Sequence, residues 1–256
     1  LTTAQGEPTG AMVGVMNMIK RLLKEEQPDY MAVVFDTKSK NFRHELYPEY
    51  KANRPEMPEE LALQIEPLHQ IIQAMGLPLL AIEGLEADDV LATLTSIGLS
   101  HGLEVLISTG DKDMAQLVKP HVLLVNTMTN TVFDEAKVLE KFGVRPDQIV
   151  DYLALMGDAV DNVPGIPKVG PKTAAKWLNQ YQTLDNLIAH ANEITGKIGE
   201  TLREHLHGLP LSKSLVSLKT DLDLSFGPED LTIRSMNESL LLPLLQKYEF
   251  RSWLKD

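Results

Sequence analysis

Carboxylates recur in close groups along this chain, with the residue types and spacing that a metal-assisted hydrolysis needs. Asp111 and Asp113 lie in Ser108-Thr-Gly-Asp-Lys-Asp113, and Asp158 and Asp161 lie in Met156-Gly-Asp-Ala-Val-Asp-Asn162. The second pair is three residues apart, so both acids share one face if that segment is helical. Glu86, Asp88 and Asp89 form a third group, and Asp36 follows the apolar run Met31 to Phe35. The chain has no cysteine and its histidines show no metal-ligand spacing, so they are read as structural or solvent-facing. Carboxylates alone make a hard-oxygen site that suits Mg²⁺ or Mn²⁺ and suits zinc poorly. Two such ions about 3.5–4 Å apart can generate a hydroxide nucleophile and stabilise the leaving oxygen in an in-line attack on a phosphodiester, the chemistry these residues favour. The competing explanation is local: an acid in the first turn of a helix is stabilised by the helix dipole, which alone accounts for Asp88, Asp89 or Asp111 taken singly. Four clusters at successive strand ends are harder to explain that way.

Such acids need elements that bring them together. Met12, Val15, Met16, Ile19, Leu22 and Leu23 keep helical spacing up to Pro28, and Met31 to Phe35 then reads as a buried strand ending at Asp36. Leu61, Ile65, Leu68, Ile72 and Met75 predict a second helix, closed by Gly76 and Pro78 and followed by a strand at Leu79 to Ile82. A helix over Ala87 to His101, a strand at Val105 to Ile107, a short helix from Met114 and a strand at Val122 to Val125 follow. This alternation predicts an α/β fold with a mainly parallel twisted sheet flanked by helices. Ligands of such a sheet sit beyond the carboxyl ends of its strands, where these acids stand. From Asp134 onward the pattern is helical, broken at 143–146, 163–171 and 208–210, which divides the chain into an α/β region, 1–145, and a helical region, 146–256. Residues 37–58 form the one long stretch without periodicity, of a length typical of functional loops.

The formal net charge of −12 argues against a nucleic-acid partner, but local charge reverses that. Between Thr37 and Arg54, five bases (Lys38, Lys40, Arg43, Lys51, Arg54) outnumber two acids. Phe42 and Tyr50 are interleaved with them, offering stacking surfaces beside phosphate partners. Lys51 and Arg54, three apart, would face the same way on a helix and steer a phosphate toward the metals. An exposed loop of snorkelling cations is the alternative. The second island, Asn162-Val-Pro-Gly-Ile-Pro-Lys-Val-Gly-Pro-Lys-Thr173, holds Gly165, Lys168, Gly170, Lys172 and Thr173 ahead of a helix starting near Pro171. Its glycines and helix N-terminus suit a hairpin that grips DNA backbone without reading sequence. A plain interhelical turn is the alternative there. No apolar run approaches the roughly 20 residues of a membrane span, and the first residues lack the order of a signal peptide, so a cytoplasmic protein is expected.

Val34-Phe-Asp36, Tyr50-Lys-Ala-Asn-Arg-Pro55, Glu86-Ala-Asp-Asp89, Ser108-Thr-Gly-Asp-Lys-Asp113, Gly157-Asp-Ala-Val-Asp-Asn162 and Gly165-Ile-Pro-Lys-Val-Gly170 together resemble the 5′-nuclease domain of bacterial DNA polymerase I and the flap endonucleases, over nearly the whole chain. The resemblance implies a PIN-like nuclease core with a helical arch at 37–58 and a helix-three-turn-helix at 163–173. It implies that Asp36, Glu86, Asp88, Asp89, Asp111, Asp113, Asp158 and Asp161 hold two Mg²⁺ or Mn²⁺ ions. Lys51 and Arg54 would act on the scissile phosphate, Lys38, Lys40, Phe42, Arg43 and Tyr50 would contact DNA beside them, and a K⁺ ion would sit at the hairpin. The implied activity is a structure-specific 5′-3′ exonuclease and flap endonuclease, acting in replication and repair on DNA with 5′ flaps or single-strand/duplex junctions. In one respect the sequence departs from the pattern: it begins at Leu1, where the family has already passed its first strand and a metal-binding Asp and Arg. A fragment of a longer chain, fused to polymerase domains, is therefore expected. Two rivals are a non-catalytic DNA-structure binder and a haloacid-dehalogenase-type phosphatase, the latter suggested by Asp111-Lys-Asp113 but lacking the expected Thr or Val at Met114.

Overall fold

In chain order the elements are α1 (Gly10–Glu26), β1 (Val33–Val34), α2 (Phe42–Leu46), α3 (Glu59–Ala74), β2 (Leu79–Leu80), α4 (Ala87–Ser100), β3 (Val105–Ser108), β4 (Val122–Asn126), β5 (Thr131–Phe133), α5 (Glu135–Phe142), α6 (Ile149–Met156), α7 (Pro171–Tyr181), α8 (Leu184–Ala189), α9 (Gly196–Glu204), α10 (Leu209–Val216) and α11 (Glu238–Lys247), with short 3-10 turns between several of them. This computed structural model describes residues 1–255. They fold into two units, neither a single linear stretch.

The first unit comprises Leu1–Thr37, Pro55–Ile82 and the chain from Leu224 onward. Met12, Met16 and Ile19, spaced by helical turns, bury one face of α1 in a core with Leu68, Ile71 and Ile72 of α3 and Leu241 and Leu245 of α11. Each such side chain contributes roughly 1.5–3 kcal/mol when fully buried. β1 and β2 pair in parallel, Val33 against Leu79, and the Phe35 N–H donates to the Leu80 carbonyl at 2.8 Å. Asp36 follows directly and is exposed.

The second unit comprises Lys38–Arg54 and Glu83–Asp223. β3 and β4 run parallel with Val105 opposite Val122, and β5 returns antiparallel on β4. The sheet packs into a large core with α6, whose Ile149, Tyr152, Leu153, Ala154 and Leu155 are all buried.

The α/β architecture is the one expected, and two of the three strand pairings are parallel, although they lie in two sheets rather than one. The sheets are small, of two and three strands, so helices dominate more than the pattern suggests. β5 escapes the sequence pattern because only Thr131-Val-Phe133 spans it, too short to display alternation. The aperiodic stretch contains one short helix, α2, capped by Asn41, whose side chain accepts from the Arg43 N–H at 2.9 Å.

Candidate metal centre

β3 delivers its chain to Thr109, whose N–H donates to the Val125 carbonyl at 3.0 Å, so the following loop leaves from a fixed point on the sheet. Asp111 then caps the 3-10 turn Lys112–Leu117, its side chain accepting from the Asp113 N–H at 2.9 Å. That capping role is the local explanation for Asp111, whose carboxylate is otherwise exposed. Asp113 turns inward beside the buried Met114.

Asp158 and Asp161 come from the loop that leaves α6. It is a tight turn rather than the helix that would have aligned them: Asp158 and Val163 exchange backbone hydrogen bonds at 3.0 and 2.8 Å, and the Asp158 side chain accepts from the Val160 N–H at 2.9 Å. The turn closes because Gly157 (φ +70°) and Gly165 let two backbones touch. A Cβ on Gly165 would overlap the Gly157 nitrogen and the Met156 carbonyl carbon and stand 2.6 Å from the Met156 oxygen. Gly165, expected to approach phosphate, serves first as a packing contact.

Asp113, Asp158 and Asp161 each offer a carboxylate oxygen, and these atoms lie within 4.8 Å of one another. Asp113 Oδ1 is buried with no hydrogen-bond partner. Burial, then the charges of Asp111, Asp158 and Asp161, push the Asp113 carboxyl up to about 7. Burial also raises Asp161, against the opposing pull of Lys51 and Arg54. A desolvated, self-repelling group of oxygens with one atom unsatisfied fits a hard divalent cation. Among the described residues this group contains three of the eight expected ligands.

The other acids lie outside that group. Asp89, 1% exposed, takes Arg43 Nη1 at 2.5 Å and Nη2 at 2.9 Å and accepts the Lys219 N–H at 2.8 Å. Those bonds occupy both oxygens of Asp89, an acid expected among the metal ligands. Arg43 is equally occupied: Nη1 also meets Glu86, while Nε and Nη2 donate to the carbonyls of Leu215 and Ser217, both at 2.8 Å. All its donor nitrogens are used inside the protein, at a residue expected to contact DNA. Glu86 further accepts from Tyr50 Oη at 2.9 Å and pairs with Lys51 Nζ at 2.6 Å. Burial would raise the Glu86 carboxyl, but Arg43 and then Lys51 bring it below its ordinary value. Asp88 sits half-buried in the first turn of α4, and Asp36 belongs to the other unit.

Lys51 and Arg54 do not share a helix face. They lie in a turn, Lys51 with φ 57°, its Nζ on Glu86, while Arg54 pairs with Asp161. Tyr50, another expected DNA contact, is 5% exposed and packs inward. Phe42 is half-buried, with the Arg43 guanidinium 4.4 Å and Lys219 Nζ 4.6 Å from its ring centroid. Lys38, Lys40, Lys168 and Lys172 are exposed. Gly170 precedes α7, with Pro171 opening the helix and Thr173 in its first turn. Two residues had no role assigned from the sequence: Asn53 and Asn162, which join the Lys51 turn to the Asp161 loop. Their presence inside the two motifs that carry Lys51 and Asp161 was the available signal.

Three carboxylates converge where β3 and α6 end, with cations paired alongside, an arrangement suited to metal-assisted phosphodiester hydrolysis. A family model described as the 5′-3′ exonuclease N-terminal resolvase-like domain matches residues 1–143, and one described as the 5′-3′ exonuclease C-terminal SAM fold matches residues 144–239. A 5′-3′ exonuclease of Aquifex aeolicus is 42% identical over 100% of this chain and 88% of its own. DNA polymerase I of Pseudomonas aeruginosa is 46% identical over 100% of this chain, which spans 29% of that protein's length. The chain belongs to the 5′-3′ exonuclease family. Its fold is that of the T5 5′-exonuclease with bound zinc (TM-score 0.73, 23% identity, 95% and 92% of the two chains) and of the Rad2 catalytic core in complex with DNA substrate (TM-score 0.62, 17% identity, 93% and 80%). Among the described residues no helix is long and apolar enough to cross a membrane.

Proposed function

We propose that this chain is a structure-specific 5′-3′ exonuclease and flap endonuclease that hydrolyses DNA phosphodiesters with two Mg²⁺ ions, in replication and repair, joined to polymerase domains in a longer protein. The observation that carries this reading is the buried, unpartnered Asp113 Oδ1 beside Asp158 and Asp161. These three would hold one ion, with Glu86, Asp88 and Asp111 the acids available to a second. The metals would supply an activated water and stabilise the departing oxygen.

The protein's own residues do the positioning. Lys51 and Arg54, which neutralise Glu86 and Asp161 here, are the cations that would turn to the scissile phosphate as metal charge replaces theirs. Lys38, Lys40 and Phe42 would receive the single-stranded end. Lys168, Lys172 and the backbone of hairpin 163–173, with Gly170 and Thr173 and a K⁺ ion, would hold duplex phosphates. None of these contacts reads base edges, so specificity would rest on DNA shape.

Cleavage of a 5′-labelled flap with Mg²⁺, set against Asp113→Asn, tests the reading. Cutting by the wild type that disappears in the variant supports it. Tight flap binding without cutting by the wild type would leave a non-catalytic binder of DNA structures.

A further inference from the structure

The turn that carries Lys51 is laced to the loop that carries Asp161. Asn53 Nδ2 donates to the Ala159 carbonyl at 2.7 Å, Asn162 Nδ2 donates to the Glu49 carbonyl at 2.7 Å, and between them the Lys51 N–H donates to the Asp161 carbonyl at 2.8 Å. The two asparagines thus exchange reciprocal bonds, each reaching from its own segment to the other's backbone. Lys51 and Asn162 also both hold left-handed backbone, φ 57° and 58°. Asparagine tolerates that region, whereas lysine with its longer side chain is disfavoured there and persists only where its surroundings over-determine it. The left-handed turn aims Lys51 inward, so that its Nζ stands 2.6 Å from Glu86 Oε1 rather than in solvent.

We infer that Asn53 and Asn162 are positioning residues for Lys51, holding its backbone in the left-handed conformation and tying it to the Asp158–Asp161 loop. The inference rests on the nuclease reading above and extends it: neither asparagine touches a carboxylate of the metal group, and both act through Lys51. The lacing fixes the distance between the cation and the acids before any substrate arrives, the preorganisation that converts binding into rate.

The test uses Asn53→Ala and Asn162→Gly, each alone and in a Lys51→Ala background. Glycine tolerates the left-handed backbone and removes the side-chain bond. Flap cleavage is measured under single-turnover and steady-state conditions, with amide exchange over residues 49–54 followed in the metal-free protein. Each single variant is expected to lower kcat roughly 10-fold or more with KM changed less than about 3-fold. Lys51→Ala should absorb that loss, so the double variants are no slower than Lys51→Ala alone. Exchange over 49–54 should accelerate while the melting temperature moves by no more than about 2 °C, as for surface substitutions. An equal further loss in the Lys51→Ala background, or wild-type rates in both single variants, overturns the inference. Should the wild type itself fail to cut, the nuclease reading falls, and exchange alone decides: unchanged protection at 49–54 overturns the positioning role and faster exchange upholds it.

Discussion

Arg43 and Asp89 meet side-on with both their charges buried, Nη1 at 2.5 Å from Oδ2 and Nη2 at 2.9 Å from Oδ1, the side chains 2% and 1% exposed. A pair of this kind adds little over a well-packed apolar equivalent, yet breaking it strands a charge in the interior. Asp89→Asn should therefore cost about 3 kcal/mol in a urea unfolding titration, and the double variant Asp89→Asn, Arg43→Met should recover part of that loss. A cost below about 1 kcal/mol would show that Glu86 alone satisfies the guanidinium.

The raised Asp113 carboxyl sets the sign of a pH effect in metal-free protein. Folding raises its value from 3.8 to about 7, so the native state holds the proton more tightly than the unfolded chain. That contribution is fully present below about pH 4 and is lost as pH rises through 7. Asp161 shifts in the same direction, and the lowered Glu86 acts oppositely only below its ordinary range. With chelator present, melting temperature should fall between pH 5 and pH 8, Mg²⁺ should restore it at pH 8, and Asp113→Asn should flatten the profile. A melting temperature that climbs over this range in the wild type would contradict the assignment.

Gly165→Ala places a methyl group against the backbone of Met156 and Gly157, inside the contact distance of its nearest atoms. Backbone cannot yield as a flexible side chain can. We expect a loss of at least about 2 kcal/mol by chemical denaturation, together with weaker Mg²⁺ binding, since the same contact closes the Asp158–Asp161 turn. Gly170, with open space around it, is the control: Gly170→Ala should change stability by well under half as much.

Lys168 and Lys172 stand exposed at the hairpin. Replacing both with alanine should weaken binding to duplex-containing DNA of any sequence by a similar factor. It should also reduce the slope of log affinity against log salt by about 1 for each phosphate that the lysines no longer neutralise. An unchanged slope would place the duplex elsewhere on the protein.

Sequence periodicity located the helices and strands well where an apolar stripe was long, as in α1, α3 and α4, and poorly where an element was only three residues long, as in β5. The site divided along different lines. Asp113, Asp158 and Asp161 were legible as acids behind strand and helix ends, whereas their convergence depends on a turn closed by Gly157 and Gly165, a backbone contact that no spacing encodes. Arg43 and Tyr50 hold contacts inside the fold that one dimension does not show, because composition cannot distinguish a cation facing solvent from one whose donors are spent on buried carboxylates and carbonyls. Asp89 is the complementary case: beside Asp88 it reads as a second acid of one cluster, one residue along a helix turns the side chain by about 100°, and Asp89 pairs with Arg43.

The first unit also sets a schedule for synthesis. Met12 and Met16 of α1 complete their core with Leu241 and Leu245 of α11, roughly two hundred residues later in the chain. At about 5–20 residues per second the ribosome needs roughly 10–40 s to supply that partner, during which the core that α1 and α3 share is open on the side that α11 covers. The second unit, whose segments all lie between residues 38 and 223, can close while the first still waits, so the unit whose segments span the longer stretch is the last to be finished.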